Sequence, residues 1–129
     1  MPTDRILTVH DYWDGPRLGG AEWNGAPHIY EAEFDHSADE YGDTYFLSPI
    51  EPTLLALVLE DWKIWLRWEA AREQDEVPAS PHGVLPIDSE RSAVVKKLIG
   101  DRLRSDPENR SHLRAVFNDR MTSVVWYQV

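Results

Sequence analysis

The sequence predicts an α+β fold: an antiparallel sheet of about five or six strands, packed on one face by a long tryptophan-rich helix and a second helix. Three observations carry that expectation. Runs rich in β-branched and aromatic residues crowd the first 47 positions, with the hairpin signal Asn24-Gly25 among them. One long, almost uninterrupted apolar helical pattern follows, and then a shorter one. A last pair of strand-like runs ends the chain, so hairpins join the strands and the helices form one block. At 129 residues the chain is most simply a single domain.

ILTVHDYW alternates poorly and reads as a strand buried on both sides, broken by Asp14-Gly15-Pro16. RLGGAEW and APHIYEAEF flank Asn24-Gly25 as a hairpin. A two-residue turn there sets Trp23 opposite Ala26, Ala21 opposite His28 and Gly19 opposite Tyr30. One face then carries Arg17, Gly19, Ala21, Trp23, His28, Tyr30, Ala32 and Phe34, with Gly19 and Ala21 leaving room for indoles. The other carries Leu18, Glu22, Ile29, Glu31 and Glu33 and looks solvated. Residues 35–43 read as an acidic loop and TYFL as a short strand, completing a β-rich part over 1–47.

Residues 48–75 form the spine helix. Ser48-Pro49-Ile50-Glu51 has the shape of a capping box, and Pro52 sets the start of the regular helix, which runs to about Glu73. Its polar stripe of Glu60, Lys63 and Arg67 spans only about 60°, which predicts burial on nearly all sides. Asp61 is the exception, projecting with Leu57, Val58, Trp65 and Trp68. A proline-rich linker covers 76–87. Asp88 or Ser89 caps a second helix within 88–105, with Val95, Leu98, Ile99 and Leu103 inward and a basic outer face. Over 106–129, LRAVFND and TSVVWYQV pair as a C-terminal hairpin, with Ser105-x-x-Glu108 as an alternative cap for a short third helix.

The composition excludes several functions. Absence of cysteine removes disulfides, thiolate metal sites and cysteine nucleophiles. The net charge is −10, with −8 in residues 1–45, −4 in 46–80 and +2 in 81–129. Such a field opposes nucleic acid and steers association with a basic partner. Neither a leader pattern nor a membrane-length apolar run is present, which implies a cytoplasmic, soluble protein. The common nucleotide, hydrolase and metalloprotease motifs are missing, so any site must be assembled from scattered side chains and no cofactor is expected.

Three kinds of site remain. His10 with Asp11 or Asp14, plus His28, could supply mixed metal ligands, but no histidine pair has helical i,i+4 or strand i,i+2 spacing; no metal is expected. Asp61 among indoles is placed where burial raises a carboxyl pKa, and His10 or His28 could complete an acid–base pair. Against that, a buried Asp61 that pairs with Arg17 would simply tie the helix to the sheet. Finally, Tyr12, Trp13, Asp14 and Trp23 at strand ends, with Tyr41 in the acidic loop, are candidate contacts for a ligand or partner. In HDYWDGPR (10–17), alternation puts His10, Tyr12 and Asp14 on one side and Asp11 and Trp13 on the other. The stretch therefore reads as a hinge first, and as a site only where Arg17 turns inward to Asp61 and that pair is open to solvent.

HDYWDGPRLGGAEWNGAPHIYEAEFD together with LEDWKIWLRW resembles a small family of uncharacterised bacterial proteins, in which a DYYDGPR segment leads to an Asn-Gly hairpin and a tryptophan-rich helix. The resemblance covers about the first 70 residues, and more loosely the helix after HGVLP. Trp13 stands where the family pattern has a second tyrosine. No activity, cofactor or catalytic residue comes with the resemblance.

The leading expectation is a non-enzymatic acidic module that binds a protein partner, of inhibitor or immunity type, on a basic surface such as that of a nuclease. The alternative is a small enzyme or small-molecule-binding domain with a pocket between the first hairpin and the spine helix. There Asp61 would act as base, His10 or His28 as acid and Arg17 as an anion clamp. A third reading is self-association, with the basic second helix of one copy against the acidic sheet of another.

Overall fold

The structure, a computed structural model, describes residues 2–78 and 83–129. It has seven strands and two helices: β1 (Asp4–Arg5), β2 (Asp11–Tyr12), β3 (Pro16–Trp23), β4 (Ala26–Asp35), β5 (Glu40–Pro49), α1 (Pro52–Glu73), α2 (Ser89–Ile99), β6 (Ser111–Phe117) and β7 (Ser123–Gln128). All strands form one antiparallel sheet in the order β1-β7-β6-β5-β4-β3-β2. Among the described residues no helix is long and apolar enough to cross a membrane.

Five or six strands were expected; the count reaches seven because the N-terminal run forms two short strands at opposite edges of the sheet, β1 just before ILTVHDYW and β2 within it. Asp4 and Arg5 pair with β7, after which Ile6 bridges to Ala21 of β3. The Leu7 and Thr8 amides both donate to the Gly20 carbonyl, at 2.8 and 3.1 Å, and the His10 amide to that of Leu18 at 2.7 Å. One segment thus touches both ends of the strand order, which requires the sheet to curl.

Closure depends on Tyr30. Its hydroxyl donates to the Thr8 carbonyl at 2.8 Å, and its ring is fully buried. Burial, with Tyr45 adding to it, pushes the phenol pKa far above its usual value, so the group remains a neutral donor. The route to Thr8 crosses Gly19: a Cβ there would lie 2.2 Å from the Thr8 carbonyl oxygen and 2.7 Å from the Tyr30 hydroxyl. Thr8 is itself fixed to β3, its Oγ1 accepting from the Gly20 amide at 2.9 Å.

Asn24 and Gly25 adopt φ of 51° and 75°, and Trp23↔Ala26, Ala21↔His28 and Gly19↔Tyr30 are in register as the turn predicts. The face carrying these residues lines the inside of the curl, where Ala21, Tyr30, Tyr45, Leu47, Leu113 and Trp126 form the core with Phe117 against them. The space at Gly19 and Ala21 is therefore filled by Tyr30 and the N-terminal segment, not by indoles of the helix. The opposite face, expected to be solvated, receives the helices over β3 and β4. Leu18, Ile29 and Ile50 pack there with Leu54, Val58, Val95, Ile99 and Leu103. Glu31 on that face accepts from the Ser105 amide and hydroxyl, at 3.1 and 2.6 Å. This bond, and the absence of a helix at 106–108, sets aside Ser105 as the cap of a third helix.

Four further expectations are corrected. Residues 35–43 are mostly strand: Phe34 pairs with Tyr41 and Asp35 with Glu40, and Asp35 Oδ1 holds the tight turn through Ser37 and Ala38. Ser48 belongs to β5 and accepts from the Asp106 amide instead of capping α1, whose N-cap Glu51 makes no side-chain cap. The spine helix spans Pro52–Glu73, but only Leu54, Val58, Ile64 and Trp68 are fully buried and Leu66 is exposed. The second helix is confined to Ser89–Ile99, with Leu98 exposed; Asp88 pairs with Arg67 in place of capping. The linker expected over 76–87 lies partly outside the described residues, which resume at Gly83; the C-terminal hairpin forms as expected.

Gly19→Ala is expected to destabilise the fold by more than about 3 kcal/mol, because backbone must move to admit the Cβ. Gly20→Ala, whose Cβ would meet nothing closer than 3.6 Å, is expected to stay within about 1 kcal/mol of wild type. Tyr30→Phe should cost about 1–2 kcal/mol by orphaning the Thr8 carbonyl. Urea unfolding of the three variants checks this; equal costs for the two glycines would break the link between Gly19 and closure.

Candidate functional site

From Asp61 onward α1 carries side chains that line a cleft. Asp61, Trp62, Trp65 and Glu69 fall within about 100° of arc on the helix. Together with His10 and Tyr12 from the N-terminal segment, Gly83 and Val84, and Lys96 of α2, they line a cleft of about 660 Å³. Trp65 leans on Trp68, with ring centroids 5.2 Å apart and planes at 30°. Trp68 in turn lies against Gly83, where any Cβ would come within 2.4 Å of the indole. Aromatic walls are thus held from behind by packing.

At one end of the cleft His10, Asp61 and Lys96 meet. His10 Nε2 lies 2.9 Å from Asp61 Oδ2, and Lys96 Nζ donates to Oδ1 at 2.8 Å. The His10 hydrogen bond outweighs the effect of burial and Lys96 adds to it, so the Asp61 carboxyl is held below its ordinary value. Because Asp61 is ionised, Nε2 of His10 carries the hydrogen it receives. His10 Nδ1 is buried and has no hydrogen-bond partner among the described residues.

This geometry revises the acid–base expectation. Asp61 is stabilised as an anion, not raised toward neutrality, and both its oxygens are engaged. The one uncommitted nitrogen of His10 is sealed from solvent and does not open into the cleft. His28 lies on the other face of the sheet, bonded through Nδ1 to the Ala26 carbonyl at 2.9 Å and edge-on to Trp23 at 5.3 Å. It is a core histidine. Among the described residues no group of three or more histidine, aspartate or glutamate side chains is placed to hold a metal ion.

Arg17 does not turn toward Asp61. It is buried on the inner face, where Nε donates to the Trp13 carbonyl at 2.7 Å and Nη2 to that of Asp14 at 2.6 Å. Nη1 reaches the Tyr45 hydroxyl at 3.3 Å and the Gly42 carbonyl at 3.4 Å, and the guanidinium lies 4.6 Å above the Tyr41 ring. Carbonyl oxygens therefore solvate this charge, and no carboxylate among the described residues pairs with it. The anchored turn, with Asp14 at φ 53°, leaves Tyr12 60% and Trp13 72% exposed. Tyr12 sits on the cleft rim. Trp23 and Tyr41 are half-buried and serve packing, so of the five proposed contact residues Tyr12, Trp13 and Asp14 stay at the surface.

No family model, curated protein or solved structure matches the chain. The functional reading must therefore come from the cleft itself.

Sequence reasoning brought His10 and Asp61 together but missed Lys96, and it assigned Trp62 and Trp65 to packing. The available signal was the row Asp61-Trp65-Glu69 at i, i+4 and i+8, which places two carboxylates on an aromatic face. No local pattern identified Lys96, which arrives from another helix.

Two predictions follow from the charges. A carboxyl whose pKa is lowered on folding contributes stability above its unfolded pKa and loses it as pH falls through the folded one. Asp61→Asn should therefore be destabilising at pH 6, with the gap to wild type shrinking below the ordinary carboxyl value of 3.8. Urea midpoints at pH 6 and near pH 3 test this, and a gap that widens on acidification would contradict it. Arg17→Lys should cost about 2–4 kcal/mol, since an ammonium cannot bridge the Trp13, Asp14 and Gly42 carbonyls together. Trp13→Ala should be nearly neutral in the same assay.

Proposed function

We propose that this domain binds a small organic molecule in the cleft between its N-terminal segment and α1, without covalent chemistry. The observation that carries the reading is an open, pre-formed cavity of about 660 Å³ with aromatic walls and a fixed Asp61–Lys96 ion pair at one end. Apolar walls supply affinity, and a few convergent polar groups supply orientation. The engaged state of Asp61 and the sealed nitrogen of His10 favour binding over general acid–base work.

A panel of amines, carboxylates, sugars and nucleobases, followed by tryptophan fluorescence and thermal unfolding, tests the proposal. A ligand at one hundred times its Kd should add about 2.7 kcal/mol to stability. Trp65→Leu should weaken its binding at least about tenfold while leaving the circular dichroism unchanged. Failure of every compound to give a saturable response would sink the reading.

A second reading has its own observation. Tyr12 and Trp13 stand exposed on a turn that the buried Arg17 makes rigid, the arrangement expected of interface anchors. With a net charge of −10, a basic protein is the partner this reading favours. A binding partner that is released by moderate salt and lost with Trp13→Ala would support it; retention by the variant would count against that surface.

A further inference from the structure

We infer that the cleft selects an organic cation, of the trimethylammonium or alkylammonium class. This rests on the cleft being a ligand site, and three independent features point to the charge of its occupant. First, the walls hold Tyr12, Trp62 and Trp65, and aromatic π-systems attract a desolvated cation, tryptophan most strongly. Trp68 covers Trp65 from behind, which fixes the ring where it lines the cleft. Second, among the described residues the lining sets two carboxylates, Asp61 and Glu69, against one ammonium. The Lys96 charge is already matched, at 2.8 Å, to an Asp61 held below its ordinary carboxyl value. Glu69 therefore leaves the described lining net negative. Third, the whole chain carries −10, so its field concentrates cations and depletes anions at any open mouth.

An anionic ligand would rely on Lys96 alone, in competition with Asp61 and against that field. A neutral polyol would find donors and acceptors but would gain nothing from the excess negative charge. Asp61 and Glu69 stand two turns apart along α1, about 12 Å of rise, with Trp65 between them. An ammonium over the indoles thus meets carboxylates along the helix in both directions. Both oxygens of Asp61 are engaged by His10 and Lys96, so that carboxylate attracts through space and Glu69 is the one offered for direct contact.

The test compares choline with its neutral isostere 3,3-dimethyl-1-butanol and with benzoate, by titration of tryptophan fluorescence and by calorimetry on the full chain. Choline should bind at least about tenfold tighter than the isostere, and benzoate weakest of the three. Trp65→Leu, which keeps apolar bulk but removes one π-face, should reduce the preference for choline over the isostere several-fold, with the carboxylates and the remaining rings sustaining the rest. Lys96→Gln should strengthen choline and weaken benzoate. Because both variants are read as ratios between ligands, a modest loss of stability does not obscure the result. Equal binding of choline and the isostere, or tighter binding of benzoate, overturns the cation while leaving a ligand cleft. Absence of binding by all three and by the wider panel removes both.

Discussion

The structure depends on one hydrogen bond made through a gap. Tyr30 reaches the Thr8 carbonyl only because Gly19 has no side chain in the way. Full burial of the ring contributes about 2–3 kcal/mol, but an unpartnered buried hydroxyl would cancel much of it. The Thr8 carbonyl resolves that conflict and in turn fixes the N-terminal segment across β3. From this contact the sheet curls, its aromatic face becomes interior, and its other face is left to the helices. The same segment continues from Thr8 to His10, so the bond that closes the core also brings an imidazole to α1.

The two candidate charges of the site solve burial in opposite ways, and this is why they never meet. Arg17 is surrounded by carbonyl oxygens of the turn it stabilises, together with the Tyr45 hydroxyl and the Tyr41 ring. Removing that guanidinium would leave several acceptors unpartnered, so its place is set by the turn and not by a distant carboxylate. Asp61 is served by His10 and Lys96, both outside its own helix. HDYWDGPR is thus a hinge with two outputs: His10 on the cleft side and Arg17 on the core side, with Tyr12 and Trp13 exposed between them.

What was legible in the sequence follows the range of the interactions. The Asn24-Gly25 register is settled by two residues and their immediate neighbours. The extent of α1 was legible because Pro52 marks the start and the apolar pattern carries on to Glu73. The C-terminal hairpin was legible in the same local way. ILTVHDYW was misread because no local feature tells a central strand from a segment that changes partners from β7 to β3 within two residues. The acidic stretch 35–43 was misread because charge suggests a loop, whereas Tyr41 is held in a strand by Phe34 opposite, ring centroids 5.0 Å apart. Assignment of faces failed for a third reason. Leu18 and Ile29 sit among glutamates, and only the closure of the aromatic face shows which side is left for the helices.

The cleft opens along the part of α1 that follows its packing against the sheet. Twenty-two residues make α1 about 33 Å long; Leu54, Leu55, Leu57 and Val58 pack it against the sheet and α2, and Glu60 and Asp61 then meet α2 through ion pairs with Arg91 and Lys96. Beyond Val58, Ile64 and Trp68 are still buried, whereas Trp62 and Trp65 line the cleft. An open helix face would ordinarily be trimmed to polar residues, yet here it carries Trp62 and Trp65 and is bordered by His10, Tyr12 and Val84. Three separate stretches of chain converge on the cleft, and each is anchored by something else: the Thr8 closure, the Trp68–Gly83 contact, and the packing of Val95 and Ile99. The first and third need neither Trp62 nor Trp65 for their own placement; only the second leans on an indole of the lining, Trp65 packing on the Trp68 that meets Gly83. The independence of the other two is the physical argument for a ligand.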